Sequence, residues 1–200
     1  GKDLVSIYAN NHPDNALFLN KNLRLGGSSE LYKNYNTKFG DLSAIMIENL
    51  PFWVEITTTP SKKISLMSEW ESKLKAIISE VKNEDVGSLT GVPSWMMVLL
   101  QRVLAETGNK SISELWPNLE VFFHGGISFK PYKEQYRKII GKDINYYEIY
   151  NASEGFFAIQ DLNYSNDLLL MLDYGIFYEF IPMDTFGTPN QKIIRLADVE

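Results

Sequence analysis

The sequence predicts an α/β fold, with a mainly parallel β-sheet flanked by helices and a β-hairpin near the C-terminal end. Between residues 85 and 150, short apolar runs alternate with segments whose apolar residues recur at helical spacing, an order typical of parallel sheets. Residues that start or stop helices separate those segments. Farther on, two apolar runs, 167–172 and 176–181, are joined by Asp173-Tyr174-Gly175. A three-residue connection that ends in glycine suits a hairpin.

Residues 1–60 give weaker signals. Residues 3–10 and 17–25 are mixed apolar segments that end at turn-forming residues, and we expect strands there. Residues 44–47 fit either a strand or a short helix. Residues 52–58 are predicted to be extended up to Pro60.

The helices are predicted from apolar spacing and from their end residues. Residues 68–82 carry apolar side chains at helical spacing. Two capping boxes, in which a serine and a glutamate three positions later satisfy free amides, are predicted at Ser68/Glu71 and Ser111/Glu114. The later helices begin at a capping or proline residue and end at glycine or proline: Pro93 to Gly108, Ser111 to Pro117, and Pro131 to Gly141.

Strands are predicted at 85–90, 120–124 and 144–150. In a parallel sheet, ligands bind beyond the carboxyl ends of the strands. If these three strands are neighbours, the segments that follow them border one crevice. Those segments carry small or polar residues: Thr90-Gly91-Val92-Pro93, His124-Gly125-Gly126 and Tyr150-Asn151-Ala152-Ser153-Glu154-Gly155.

Composition and charge exclude several classes of protein. The apolar fraction of 44% and the aromatic content are globular values. The net charge of −6, without a Lys/Arg cluster, argues against a nucleic-acid partner. The absence of cysteine excludes a disulfide framework, a Cys-liganded zinc site and a thiol nucleophile. No apolar run approaches the roughly 18 residues of a membrane-spanning helix, and the start lacks a signal-peptide pattern. We therefore expect a cytoplasmic protein without a membrane partner.

The segment from Tyr150 to Gly155 combines residue types that suit a nucleotide. Tyr150 offers a flat ring at a strand end, and the hydroxyl of Ser153 can bond a phosphate oxygen. The carboxylate of Glu154 is a typical Mg²⁺ ligand alongside phosphates, and Gly155 permits close approach of the backbone. The spacing alone also fits an ordinary turn in which Ser153 caps and Glu154 is solvated.

The segment His124-Gly125-Gly126 also has two interpretations. Two glycines after a strand can let a planar ring lie against the backbone or can form an anion-binding nest. They also fit a tight turn from strand to helix that leaves the histidine in the core. Likewise, Trp95 either lines an apolar pocket or belongs to the core of its helix.

A serine hydrolase is the main rival from another class. Residues 151–155 are one residue away from the G-x-S-x-G nucleophile elbow. The two histidines, His12 and His124, both precede Ser153, whereas the elbow fold needs a histidine base after the serine. The hydrolase interpretation therefore fails. Two histidines without an H-E-x-x-H motif also make a zinc site unfavourable.

Several segments, in this order and spacing, resemble successive motifs of one family. The likeness covers nearly the whole chain, and the family is the auxin-responsive Gretchen Hagen family of acyl-acid amido synthetases, in its bacterial form. The segments are Gly40-Asp41-Leu42-Ser43, 90–96, Leu115-Trp116-Pro117-Asn118-Leu119-Glu120, His124-Gly125-Gly126, 150–155 and 173–182.

This family belongs to the adenylate-forming superfamily, so the resemblance implies part of the N-terminal domain of such an enzyme. It implies ATP and Mg²⁺ as cofactors, with a small carboxylic acid and an amino acid as substrates. The acid is joined to AMP, pyrophosphate leaves, and the acyl group passes to the amino acid to form an amide.

Carried over motif by motif, the resemblance assigns roles to single residues. Tyr150 would lie against the adenine, and Asn151 would also contact ATP. Ser153 would bond phosphate and Glu154 would hold Mg²⁺, which makes these two the candidate catalytic residues. The remaining candidates would border the adenine or the acyl substrate: Gly125, Gly126, Val92, Pro93, Trp95 and His124.

The chain departs from the family in lacking its Ser/Thr/Gly-rich phosphate loop, since Gly26-Gly27-Ser28-Ser29 is short and lacks the pattern. The family's Tyr-Arg-x-Gly-Asp motif and its lysine-bearing C-terminal lid are also missing. We therefore expect residues 1–200 to be a single fragment of the large domain, inactive in isolation. Two alternatives stay open: a portion of an acyl-CoA or aryl-CoA ligase, and a non-catalytic nucleotide-binding module on the same scaffold.

Overall fold

The computed structural model describes residues 2–26, 31–163 and 165–199, which form an α/β fold as predicted. Of the segment Gly26-Gly27-Ser28-Ser29, which was compared above with the family's phosphate loop, residues 27–29 lie outside the described residues. The described helices are α1 (Lys2–Asn11), α2 (Leu42–Glu48), α3 (Phe52–Thr57), α4 (Lys62–Ser65), α5 (Trp70–Val81), α6 (Pro93–Thr107), α7 (Ile112–Leu115), α8 (Lys133–Ile140) and a 3₁₀ helix (Leu196–Asp198). The described strands are β1 (Lys21–Leu25), β2 (Leu31–Asn34), β3 (Thr37–Gly40), β4 (Thr58–Thr59), β5 (Val86–Gly91), β6 (Val121–Gly125), β7 (Asn145–Ala152), β8 (Gly155–Ile159), β9 (Leu169–Leu170), β10 (Glu179–Phe180) and β11 (Ile194–Arg195).

The main sheet of the described residues has seven strands in the order β4-β1-β5-β6-β7-β8-β9. The strands from β4 to β7 in this order are parallel, and β8 and β9 join antiparallel. The crossovers between β5, β6 and β7 contain α6 and α8, as parallel pairing requires. The register pairs Gly91 with His124 and Gly125 with Ile149. The carboxyl ends of β5, β6 and β7 therefore lie side by side.

Apolar layers cover both faces of the sheet, as expected for parallel strands. On one face, α5, α6 and α8 pack on residues such as Leu89 and Phe122, and this cluster forms the larger core. On the other face, Tyr8 of α1 packs with Phe123 and Tyr147. Trp116, fully buried, donates from Nε1 to the carbonyl of Val81 at 3.2 Å and so fixes α7 against the end of α5.

The predicted helix α5 is present, but its predicted capping box is wrong. The carboxylate of Glu69 accepts hydrogen bonds from the amides of Glu71 and Ser72 at 2.9 and 2.7 Å. The helix cap is therefore Glu69, one residue later than the Ser68/Glu71 pattern predicted, and it serves the amides of the second and third helical residues. At α7, Ser111 stands at the cap without a side-chain hydrogen bond to the helix amides. Instead, the Glu114 carboxylate accepts from the Lys110 amide at 2.8 Å.

Two of the strands predicted in the first 60 residues are wrong. Residues 3–10 lie in α1, because Leu4 and Tyr8, one turn apart, are buried against the sheet. Residues 52–57 form α3 rather than an extended segment, and only 58–59 are extended. Of residues 17–25, the last five form β1, and residues 44–47 take the helical alternative, in α2.

The predicted hairpin between residues 167–172 and 176–181 is also wrong. Leu169–Leu170 pairs with β8, and Glu179–Phe180 pairs with β11. Gly175 does form a turn, with φ of +73°. However, the first run adds to the main sheet as its last strand, beside β8. The two runs are joined by a side-chain hydrogen bond, from the Tyr178 hydroxyl to the Met171 carbonyl at 3.1 Å, and not by strand pairing. Among the described residues, no helix is both long and apolar enough to cross a membrane.

Candidate functional site

The segments after β5, β6 and β7 contact one another at the edge of the sheet that the carboxyl ends of the strands form, which confirms their predicted adjacency. A Cβ atom placed on Gly126 would lie 3.5 Å from Cγ2 of Val92, so the first two segments touch. A Cβ atom placed on Gly125 would overlap the carbonyl oxygen of Ile149 and would lie 3.6 Å from Oδ1 of Asn151. The second and third segments therefore touch as well.

The structure gives both glycines a reason that needs no ligand. Gly125 has no room for a side chain beside β7. Gly126 has a φ of +82°, a backbone conformation that costs other residues about 1–2 kcal/mol. This agrees with the interpretation of a tight turn, and it also leaves a backbone surface without side chains at the edge of the sheet.

Ser153 and Glu154 lie at the tip of a hairpin. Strand β7 continues two residues beyond its predicted end, and Ala152 pairs with Gly155, so a two-residue turn connects β7 with β8. Both side chains are exposed, and neither makes a hydrogen bond or ion pair with any described residue. A strand follows Ser153 here, whereas a nucleophile elbow leads into a helix. The turn therefore presents a free hydroxyl and a free carboxylate, in a geometry that a serine hydrolase does not use.

Tyr150 provides an accessible aromatic ring near that turn. Its side chain is 56% exposed, and its ring centroid lies 5.1 Å from that of Phe157 at a tilt of 36°. A Cβ atom placed on Gly155 would lie 2.9 Å from Cδ1 of Ile176, so the Ile176 side chain lies directly beside Gly155. Sequence reasoning missed Phe157 and Ile176 as neighbours of this site, because β8 was not predicted.

His124 is buried beneath the glycine segment. Its ring stacks on Phe129 with centroids 4.2 Å apart, and its Nδ1 has no hydrogen-bond partner in the part of the chain that the structure describes. Burial lowers the pKa of His124 to about 4, so the ring is neutral at physiological pH. Its neighbour in the register is Glu148, whose pKa is raised by burial.

The other predicted acyl-site residues divide into accessible and buried ones. Val92 is partly exposed beside Gly126, and Trp95 is half exposed with its ring packed edge-on against Trp70 at 5.1 Å. Pro93 is buried, and its carbonyl accepts a hydrogen bond from the Tyr136 hydroxyl at 2.7 Å. Pro93 therefore fixes α6 to α8, and of the four candidates only Val92 and Trp95 offer accessible side chains.

Comparison with known proteins supplies the family. A model of the GH3 family N-terminal domain matches residues 1–144. The chain belongs to the GH3 family. GH3 is the Gretchen Hagen family, so this match confirms the resemblance on which the site assignment was based, and with it the adenylate-forming superfamily. A comparison with curated proteins found no match.

Solved structures agree with the GH3 assignment at the level of the fold. The structure of the GH3.15 acyl acid amido synthetase matches with a TM-score of 0.66 and 10% identity, over 100% of this chain and 46% of that one. The chain thus spans less than half the length of that protein. Weaker likenesses are found to the Vibrio cholerae adenylation domain AlmE in complex with glycyl-adenosine-5'-phosphate (TM-score 0.45, 10% identity, 98% and 32% of the two chains). The structure of CmiS6 matches with a TM-score of 0.40 and 11% identity, over 75% of this chain and 32% of that one.

The GH3 chain carries no preformed metal cage in its described residues, where no three acidic or histidine side chains converge. Mg²⁺ bound with nucleotides commonly takes only one or two carboxylates and fills its other positions with phosphate and water oxygens. The exposed carboxylate of Glu154, which pairs with none of the described residues, fits that requirement. Two open hollows of about 270 and 520 Å³ lie at the opposite, amino end of the strands, around Lys142 and Asp143. They are separate from the edge where the three segments meet.

Proposed function

We propose that this GH3 chain forms part of an ATP-dependent ligase that adenylates a carboxylic acid and transfers the acyl group to an amino acid, forming an amide. The observation that supports it most is the contact between the segments after β5, β6 and β7 at one edge of the sheet. That edge presents the exposed Ser153 hydroxyl, the exposed Glu154 carboxylate and the accessible ring of Tyr150. It is the edge at which parallel sheets bind ligands.

Each of these residues has a role in the proposed reaction. The ring of Tyr150 lies against the adenine, and Asn151, next to Gly125, contacts the nucleotide. The Ser153 hydroxyl donates to an α-phosphate oxygen, and Glu154 holds Mg²⁺. Gly125 and Gly126 leave a surface without side chains along which the adenosine extends.

The acid lies on the side of the segment after β5, near Val92 and Trp95. Because Pro93 and His124 are buried, they shape this wall from beneath it. His124 is neutral, so it brings no positive charge to compete for the substrate carboxylate. A carboxylate oxygen attacks the α-phosphorus, pyrophosphate leaves, and alignment of the two reactants in one cleft lowers the barrier. When bound, Mg²⁺ neutralises phosphate charge.

The proposal treats the chain as a portion of a longer enzyme, and its span of 46% of the GH3.15 protein supports that part of the proposal. The proposal also places this enzyme in the cytoplasm. The chain alone is then expected to lack carboxylate-dependent ATP–pyrophosphate exchange. Exchange catalysed by the 200-residue chain itself would contradict this part of the proposal.

Replacement of Glu154 by a neutral residue tests its proposed role in holding Mg²⁺ most sharply. In the longer protein, Glu154→Ala is expected to abolish carboxylate-dependent ATP–pyrophosphate exchange and to leave the unfolding midpoint unchanged, because this exposed side chain makes no hydrogen bond or ion pair with another described residue. Glu106→Ala is the matched control, since Glu106 is also exposed but lies in the last turn of α6, towards the amino ends of the strands. Normal Mg²⁺-dependent exchange in Glu154→Ala would remove the metal role.

The second half-reaction separates the alternatives. An amide synthetase releases AMP when amino acids are added to the adenylate, whereas an acyl-CoA or aryl-CoA ligase requires coenzyme A. A non-catalytic module would bind ATP without any acid-dependent release of pyrophosphate. Assays of the longer protein with amino acids and with coenzyme A in parallel therefore distinguish the three.

A further inference from the structure

A row of polar side chains lies on β1 and β5, where parallel strands normally carry apolar residues. Leu23, Leu25 and Leu89 face the helical core. Since side chains alternate between faces, the residues between them face the other side. Asn22 and Arg24 on β1 and Ser88 and Thr90 on β5 share that opposite face, and the register places Asn22 beside Ser88 and Arg24 beside Thr90.

The side chains of Asn22, Ser88 and Thr90 carry more hydrogen-bond donors than the described residues supply acceptors for. The Asn22 amide nitrogen donates to Oγ of Ser88 at 2.8 Å and to Oγ1 of Thr90 at 3.0 Å. Neither hydroxyl hydrogen then has an acceptor among the described residues. If the amide is turned over, its oxygen accepts from both hydroxyls and its two N–H groups are left over instead. Two donors thus remain in either orientation, although Ser88 is fully buried.

Arg24 adds a cation to the same row. Its Nε is buried and has no hydrogen-bond partner among the described residues. No acidic side chain of the described residues lies within ion-pair distance of its guanidinium, although the chain carries a net charge of −6. Partial burial lowers the pKa of Arg24, because the guanidinium loses hydration that no carboxylate of the described residues replaces. Buried guanidinium groups are normally paired with carboxylate or phosphate oxygens.

We propose that Arg24, Asn22, Ser88 and Thr90 form an oxyanion-binding site that takes a carboxylate or phosphate group on the face of the sheet opposite the helical core. The site offers a planar, charged guanidinium group and two further hydrogen-bond donors, and no acidic side chain of the described residues pairs with them. It is separate from Ser153 and Glu154, and it does not depend on the proposed ligase function.

Binding of simple anions to the 200-residue chain tests this site directly. The unfolding midpoint is measured at constant ionic strength with inorganic phosphate, pyrophosphate, acetate or chloride alone. At least one of the first three is expected to raise the midpoint above that in chloride. A response to acetate alone identifies a carboxylate site, and a response to phosphate or pyrophosphate alone identifies a phosphoryl site.

Variants then locate the bound anion. Arg24→Gln is expected to weaken the anion by about 10- to 100-fold, the loss of a charge-assisted pair, and to be at least as stable as wild type in chloride. Thr90→Val, which keeps the shape and removes a donor, is expected to weaken it several-fold and serves if Arg24→Gln does not fold. Arg137→Gln, at an exposed arginine on α8, is expected to bind like wild type.

Three outcomes would overturn the proposal. The first is that no anion raises the midpoint above that in chloride. The second is that Arg24→Gln and Thr90→Val bind the anion as tightly as wild type. The third is that Ser153→Ala removes the response while Arg24→Gln keeps it, which would assign the anion to the edge of the sheet.

Discussion

Acidification from about pH 7 to about pH 5 is expected to destabilise the chain by about 2 kcal/mol through His124 alone. Burial lowers the pKa of His124 from its ordinary value of 6.5 to about 4. In this window the unfolded chain takes up a proton that the folded chain does not bind. The stability is therefore fully present above pH 6.5 and is lost as the pH falls towards 4. The complete gap corresponds to about 3 kcal/mol.

Denaturant unfolding followed by tryptophan fluorescence at a series of pH values measures this effect. His124→Gln removes the titrating ring, so its free energy of unfolding should fall less steeply with pH, by about 2 kcal/mol over the same window. Burial raises the pKa of Glu148, which gives a contribution of the opposite sign, but that contribution is common to both proteins and cancels in the difference. Parallel pH profiles for wild type and His124→Gln would refute the assignment of a buried, neutral histidine.

Three further predictions concern the contacts around the site. Gly126→Ala and Gly108→Ala, at φ values of +82° and +74°, should each cost about 1–2 kcal/mol of stability, but only Gly126→Ala should weaken ATP binding in calorimetry. Tyr136→Phe should cost about 0.5–1.5 kcal/mol in denaturant unfolding, because it removes the buried hydrogen bond to the Pro93 carbonyl at the start of α6. Tyr132→Phe, whose hydroxyl has no partner among the described residues, should cost almost nothing. Tyr150→Ala should weaken ATP binding by about 1–2 kcal/mol through lost stacking, whereas Tyr150→Phe should retain it; equal affinities for all three would contradict the stacking role.

The central strands and helices could be predicted from sequence because their signals are local. Helix α6, for example, begins at Pro93 and ends before Gly108, and both ends match the residues that start and stop helices. In contrast, α1 was predicted as a strand, since its helical state is stabilised by burial of Leu4 and Tyr8 on a sheet built from residues more than a hundred positions away. Tertiary packing overrides weak local preference in such segments.

The candidate site was predictable in position but only partly in geometry. The order of strands places the tips together, and the motif at Tyr150 to Gly155 was recognisable. The spacing did not reveal that Pro93 and His124 are buried, because burial depends on how α8 packs. The polar row of Asn22 and Ser88 was invisible, since the two residues are 66 positions apart and meet only when β1 pairs with β5.

Amide hydrogen exchange with and without a non-hydrolysable acyl-adenylate analogue, on the longer protein at saturation, tests the central claim most directly. Protection is expected in the three segments 91–93, 125–127 and 150–155, and in no comparable degree around Lys142 and Asp143 at the other end of the strands. Protection confined to that opposite end, or unchanged exchange in all three segments while the analogue is bound, would contradict the account.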